Sequence, residues 1–140
     1  MDRYVKNFII MSIVYLAAAS VLGIGMMLEP AFQKYRFVHS HFMLIGWVSM
    51  MIYGVGYHIL PRFAGKLLKN TSLAELQFWV ANAGLIGMVV FYSLLMGAPD
   101  NRVYGLLAGV SGALEVFSSL LFFYNMYTVL FAKEEKPDEA

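Results

Sequence analysis

The stretch RFVHSHFMLIGWVSMMIYGVGYHILPRF, residues 36–63, decides how this chain folds. It contains no acidic residue, and its two arginines stand at positions 36 and 62. An α-helix rises ~1.5 Å per residue, so the stretch is long enough to cross a hydrocarbon core of ~30 Å. Three more apolar runs of comparable length flank it. Together they predict helical spans at 4–28, 36–63, 72–96 and 103–131. The expected organisation is an all-α membrane protein, with one four-helix transmembrane domain over 1–132. The charged, proline-containing tail at 133–140 is expected to be disordered.

Composition agrees with the span count. Of the 140 residues, 60% are hydrophobic and only 14% are charged, with a mean hydropathy of +0.66. A water-soluble domain of this length needs more polar surface. The net charge of +1 gives no reason to expect a nucleic-acid partner. There is no cysteine, which excludes disulfides, thiolate metal sites and covalent haem attachment. The first apolar run follows Arg3 and Lys6 as a signal peptide would. It is too long for a signal segment and reads as a retained span.

The links carry turn and cap signals. Pro30 closes the first span, and Pro61 and Gly65 close the second. Ser72 followed by Glu75 has the spacing of a capping box for the third span. The small residues of LAAASVLGIG, residues 16–25, suit close helix approach. Cations decide the orientation. Arg3, Lys6, Arg62, Lys66, Lys69, Lys133 and Lys136 share one side, and Lys34, Arg36 and Arg102 share the other. This 7-to-3 bias places both termini in the cytoplasm. His39 and His41 then lie near the outer face of a lipid bilayer, and His58 near the inner face.

Residues two apart on a helix point ~200° from each other. His39 and His41 therefore cannot easily share one small metal ion, but they can serve two sites on opposite flanks of one helix. A haem, which slots beside a helix and takes an axial imidazole, fits that geometry. The alternative is a pair of interfacial histidines hydrogen-bonded to water. His58 lies 19 residues beyond His39, ~28 Å along a regular helix, and reads as structural. Glu115 is the carboxylate well inside a span; it is either a proton site or a hydrogen-bonding partner for a neighbouring helix. Gln77, Asn82, Ser118 and Ser119 read as interhelical hydrogen-bond groups. The ten methionines, Met43 among them, read as packing.

The second span, with His39, His41, Gly54, Gly56, His58, Pro61 and Gly65 in order, resembles the tenth transmembrane helix of haem–copper oxidase subunit I. LQFWVANAGLIGMVVFYSLLMGAPDNR, residues 76–102, is similar to that family's next helix and its arginine-containing loop. LLFFYNMYTVL, residues 120–130, resembles its last helix. The whole chain thus resembles the last four of twelve helices. The resemblance implies that His39 and His41 are axial ligands of haem iron. It also implies that Arg102 contacts haem propionates; Arg36 is a second candidate by charge and position.

The family's copper ligands and cross-linked tyrosine lie in helices outside the resemblance, as does the second ligand helix of its low-spin haem. Copper and stand-alone oxidase activity are therefore not expected. The leading expectation is a b-type haem protein of a bacterial or archaeal cytoplasmic membrane, used for electron transfer or redox sensing with an unknown redox partner. A bis-histidine haem would borrow its second ligand from a neighbouring copy, with a homotrimer as first choice and a dimer as second. An oxygen- or nitric-oxide-handling protein and a haem-free structural subunit are the alternatives.

Overall fold

The computed structural model describes residues 1–131; the tail expectation at 133–140 lies outside them. The described residues form five α-helices and no strand: α1 (Arg3–Leu28), α2 (Arg36–His41), α3 (Met50–Phe63), α4 (Thr71–Gly97) and α5 (Arg102–Phe131). A 3₁₀ turn, Pro30–Tyr35, links α1 to α2, and a π-helical segment, Phe42–Ser49, joins α2 to α3. Counting the stretch Pro30–Phe63 as one, four helices are long and apolar enough to cross a membrane.

Each helix buries one stripe. On α1 it is Tyr4, Phe8, Ser12, Tyr15 and Ala19, spaced by three or four residues, the repeat that puts side chains on one helical face. On α3 it is Met50, Tyr53, Gly54, Tyr57 and Pro61. The outward faces are as apolar as the core: Ile13, Val21, Ile24, Leu76, Val116 and Phe123 are all exposed. The buried set, by contrast, includes Ser12, Gln77, Ser111, Glu115, Ser118 and Asn125. Apolar side chains all round a helix suit a helix surrounded by lipid, and the polar groups are turned inward, where helices can satisfy one another.

Two close approaches organise the bundle. α1 packs along the second span, and α4 packs along α5. A Cβ at Gly46 would lie 2.6 Å from both Cβ and Cγ of Tyr15, and one at Gly54 would lie 2.9 Å from Ile9 Cγ1. A Cβ at Gly84 would lie 3.0 Å from the Ser111 carbonyl oxygen, and one at Gly87 would lie 2.5 Å from Ser111 Oγ. These glycines let helix backbones meet at distances that a side chain forbids.

Helix ends depart from expectation in two places. The cap of α4 is Asn70, whose Oδ1 accepts from the Leu73 amide at 3.1 Å. Ser72 instead lies exposed inside the first turn. Asn70 has an extended φ of −130°, the backbone conformation an N-cap needs, so it takes the role from Ser72. Pro61 does not end its helix, which runs two residues further. The stop is Gly65, at φ +63°. The Lys66 amide bonds the Pro61 carbonyl at 2.9 Å and the Gly65 amide bonds Arg62 at 3.1 Å, the paired bonds of a Schellman ending.

The π segment was not anticipated; the second span reads in sequence as one regular helix. Its i→i+5 bonding widens the helix directly after His41. Ser49 Oγ donates to the Leu44 carbonyl at 2.9 Å, five residues back. Gly46 sits in this segment, buried under Tyr15.

Candidate functional site

α2 begins at Arg36 and carries His39 and His41 within its next two turns. The two imidazoles leave the helix on different sides. His39 turns toward α1, where its Nδ1 lies 3.0 Å from the Ala19 carbonyl oxygen. Its ring edge fills the space left by Gly23, whose Cβ would come within 3.0 Å of His39 Cε1. His41 turns toward α4. Its ring stacks on Phe37 with centroids 3.8 Å apart, and Phe37 stacks in turn on Tyr92 of α4, also at 3.8 Å. The His41 Nδ1 lies 2.8 Å from the Phe37 carbonyl oxygen.

These contacts set the protons. A carbonyl oxygen only accepts, so Nδ1 of both His39 and His41 must carry the hydrogen. In a neutral imidazole that leaves Nε2 with the lone pair. Among the described residues neither Nε2 has a hydrogen-bond partner. A metal-ligating histidine commonly donates its other ring N–H to a carbonyl, and both side chains meet that condition.

His58 is the opposite case. The Arg62 guanidinium donates to its Nδ1 at 3.0 Å, so the His58 hydrogen sits on Nε2. Arg62 also donates to the His58 carbonyl. This histidine is tied into the end of α3 and shares no site with the other two.

Arg36 and Arg102 are the first residues of α2 and α5. In the up-and-down bundle both stand at the end that holds His39 and His41. Both are exposed, and neither has an ion-pair partner among the described residues. Asn101 caps the start of α5, its Oδ1 accepting from the Val103 amide at 3.0 Å. The flank of α1 facing away from the bundle is hollow near this end. Ala17, Ala18, Val21, Leu22, Gly25 and Phe32 line an open apolar recess of about 610 Å³, within the size range of ligand sites.

No protein-family model matches this chain, and no curated protein matches it. The likeness to haem–copper oxidase subunit I thus stands on the sequence motifs alone. Among the described residues, no three His, Cys, Asp or Glu side chains gather as a group that could hold a metal ion. A haem asks less of the chain, since its porphyrin supplies four donors and the protein supplies only axial ligands.

The rest of the interior is a polar ladder, only part of which sequence reasoning identified. Tyr57 donates to Gln77 Oε1 at 2.5 Å and accepts from Asn125 Nδ2 at 3.1 Å, joining α3, α4 and α5. Tyr53 and Ser119 hydroxyls pair at 2.9 Å. Tyr15 donates to Asn82 Oδ1 at 2.8 Å, joining α1 to α4. Gln77, Asn82 and Ser119 thus bond across helices as expected, and Ser118 Oγ reaches the Gln77 carbonyl at 3.5 Å. The tyrosines escaped notice. Their signal was the spacing of Tyr53 and Tyr57, four residues apart on one face, yet a tyrosine in an apolar run looks like packing until its hydroxyl has a partner. Glu115 is buried on α5 against Gly84 of α4.

Proposed function

We propose that this chain is a membrane-embedded b-type haem protein, with His39 and His41 as axial ligands at contacts between copies of the chain. The observation that carries the reading is the matched pair of imidazoles. Each is locked through Nδ1 to a backbone carbonyl, each leaves Nε2 without a hydrogen-bond partner among the described residues, and they lie on different flanks of the helix. Two imidazoles on opposite flanks of one helix cannot reach both faces of one flat macrocycle. Each haem therefore takes His39 from one copy and His41 from the next. In a closed ring every interface is the same head-to-tail contact, and a homotrimer is the assembly proposed first, a dimer second.

The haem supplies one-electron redox chemistry. This chain's residues hold it: the carbonyls of Ala19 and Phe37 keep the two rings oriented and raise their basicity, and Arg36 and Arg102 offer cations to the propionates. An iron held by both imidazoles would keep no open position for a gas, which favours electron transfer or redox sensing as the role. The cation bias across the links orients the spans with both termini in the cytoplasm, in a bacterial or archaeal membrane. A reporter fused after Ala140 is expected to be active only as a cytoplasmic fusion; activity only outside would reverse the orientation.

The deciding experiment is an absorption spectrum of the purified protein in detergent. The expected result is sharp reduced α-bands that carbon monoxide leaves unchanged. A large carbon monoxide shift would indicate an open iron position and a gas-handling protein. The absence of any Soret band, with haem supplied during expression, would sink the reading. On the same spectra, the Arg36→Ala, Arg102→Ala double variant is expected to retain less haem than the wild type. Unchanged haem content and midpoint potential would remove the arginines from the propionate role.

A further inference from the structure

Three buried side-chain atoms have no hydrogen-bond partner among the described residues: Gln77 Nε2, Asn125 Oδ1 and Glu115 Oε1. Gln77 and Asn125 are 0% exposed and Glu115 is 7% exposed. One is a donor and two are acceptors, so their orphaned state is not a single misplaced hydrogen. Buried polar groups of this kind are paired in native proteins, by protein or by ordered water. Tyr57 joins Gln77 to Asn125. One helical turn along, Tyr53 pairs with Ser119, and Ser119 Oγ, one turn from Glu115, donates to the Glu115 backbone carbonyl at 3.1 Å. Asn125 stands ten residues beyond Glu115 on α5, ~15 Å along the helix.

The surroundings of the carboxyl favour a proton over an ion pair. The titratable groups that α1 and the second span bring into this interior are the hydroxyls of Tyr15 and Tyr53, bonded to Asn82 and Ser119 and carrying no positive charge. α4 presents glycine at this level. A Cβ at Gly84 would come within 3.0 Å of Glu115 Oε1, so the glycine leaves the recess that the oxygen enters. Among the described residues Glu115 has no ion-pair partner. A carboxylate without a cation is costly to bury, and the group avoids that cost by holding a proton.

We propose that Glu115 is a proton-exchange site at the centre of the bundle, supplied from the Asn70 end by internal water bridging Asn125, Gln77 and the Tyr53–Ser119 pair. The exchange needs no redox partner. The O–H bond of the acid breaks as its proton passes to a bridging water, that water passes one of its protons along the chain toward the Asn70 end, and a solvent proton returned by the same route re-forms the O–H bond, so the carboxyl ends neutral as it began. Hydroxyls both donate and accept, so each link can pass a proton on and be reset by the next. Gln77 and Asn125 cannot carry the proton; they hold the water that does. The proposal is independent of the haem reading and can be tested on protein that contains no haem.

The experiment is infrared spectroscopy of the protein in detergent, comparing the wild type with Glu115→Gln. The difference spectrum is expected to show a carboxylic-acid C=O band that shifts when the solvent is changed to heavy water. In Asn125→Leu the same shift is expected to be about tenfold slower, the scale of one lost buried hydrogen bond. A difference spectrum with only carboxylate bands would overturn the proposal. So would an acid band that never responds to heavy water, or an Asn125→Leu variant that exchanges as fast as the wild type.

Discussion

Changing either His39 or His41 to alanine is expected to abolish the six-coordinate haem spectrum entirely, and co-assembling the two variants is expected to bring part of it back. The reason lies in the flanks the rings occupy. His39 is held against α1 by the Ala19 carbonyl, and His41 is held toward α4 beneath Phe37 and Tyr92. If each haem draws one ring from each of two copies, every site in a pure variant loses one axial ligand. In a random mixture, a site is intact only where a chain that keeps His39 meets a chain that keeps His41 in the right order. Head-to-tail assembly puts that fraction at about one quarter. The measurement is the reduced α-band per mole of protein, for each variant alone and for protein co-expressed from both genes. Either variant retaining the full band, or a mixture that restores none of it, would dispose of the shared-haem arrangement. A monomer that still held bis-histidine haem would do the same.

The second large effect is expected at Gly46. An alanine there would place its Cβ 2.6 Å from Tyr15 Cβ and Cγ. Those atoms are fixed to the α1 backbone and cannot swing aside as a flexible side-chain tip would. Overpacking of this kind costs about 1–3 kcal/mol, and it would also pull the Tyr15 hydroxyl from Asn82. Gly105→Ala is the control. Nothing lies within 4 Å of a Cβ at Gly105, and replacing an interior helical glycine by alanine gains roughly 0.5–1 kcal/mol. Unfolding of the three proteins in the same detergent, followed by circular dichroism, is expected to rank Gly105→Ala at or above wild type and Gly46→Ala well below. Equal stabilities of the two variants would show that α1 and the π segment do not meet as described.

Much of the fold was legible before any coordinates. The expected spans at 36–63 and 103–131 match Arg36–Phe63, taken through its π segment, and Arg102–Phe131 to within a residue. Helix length in an apolar run is a local property. It is set by where charged residues, prolines and glycines interrupt hydropathy, and all of these are written along the chain. The same holds for the different sides taken by His39 and His41, which follow from the angular step between residues two apart.

What tertiary structure decided was of another kind. Whether Ser72 or Asn70 caps α4 depended on which residue the incoming link leaves extended. The π segment has no distinct composition; it accompanies a glycine packed beneath a tyrosine from 31 residues earlier in the chain. The tyrosines gained polar roles because their hydroxyls arrive beside Gln77, Asn82 and Ser119 from other helices. The proton positions on His39 and His41 were settled by carbonyls, one of them on a separate helix. Sequence determines which segments become helices because hydropathy and backbone preference act over a few residues. Which atoms are satisfied, orphaned or open to a ligand depends on contacts between residues far apart in the chain, and only packing brings those together.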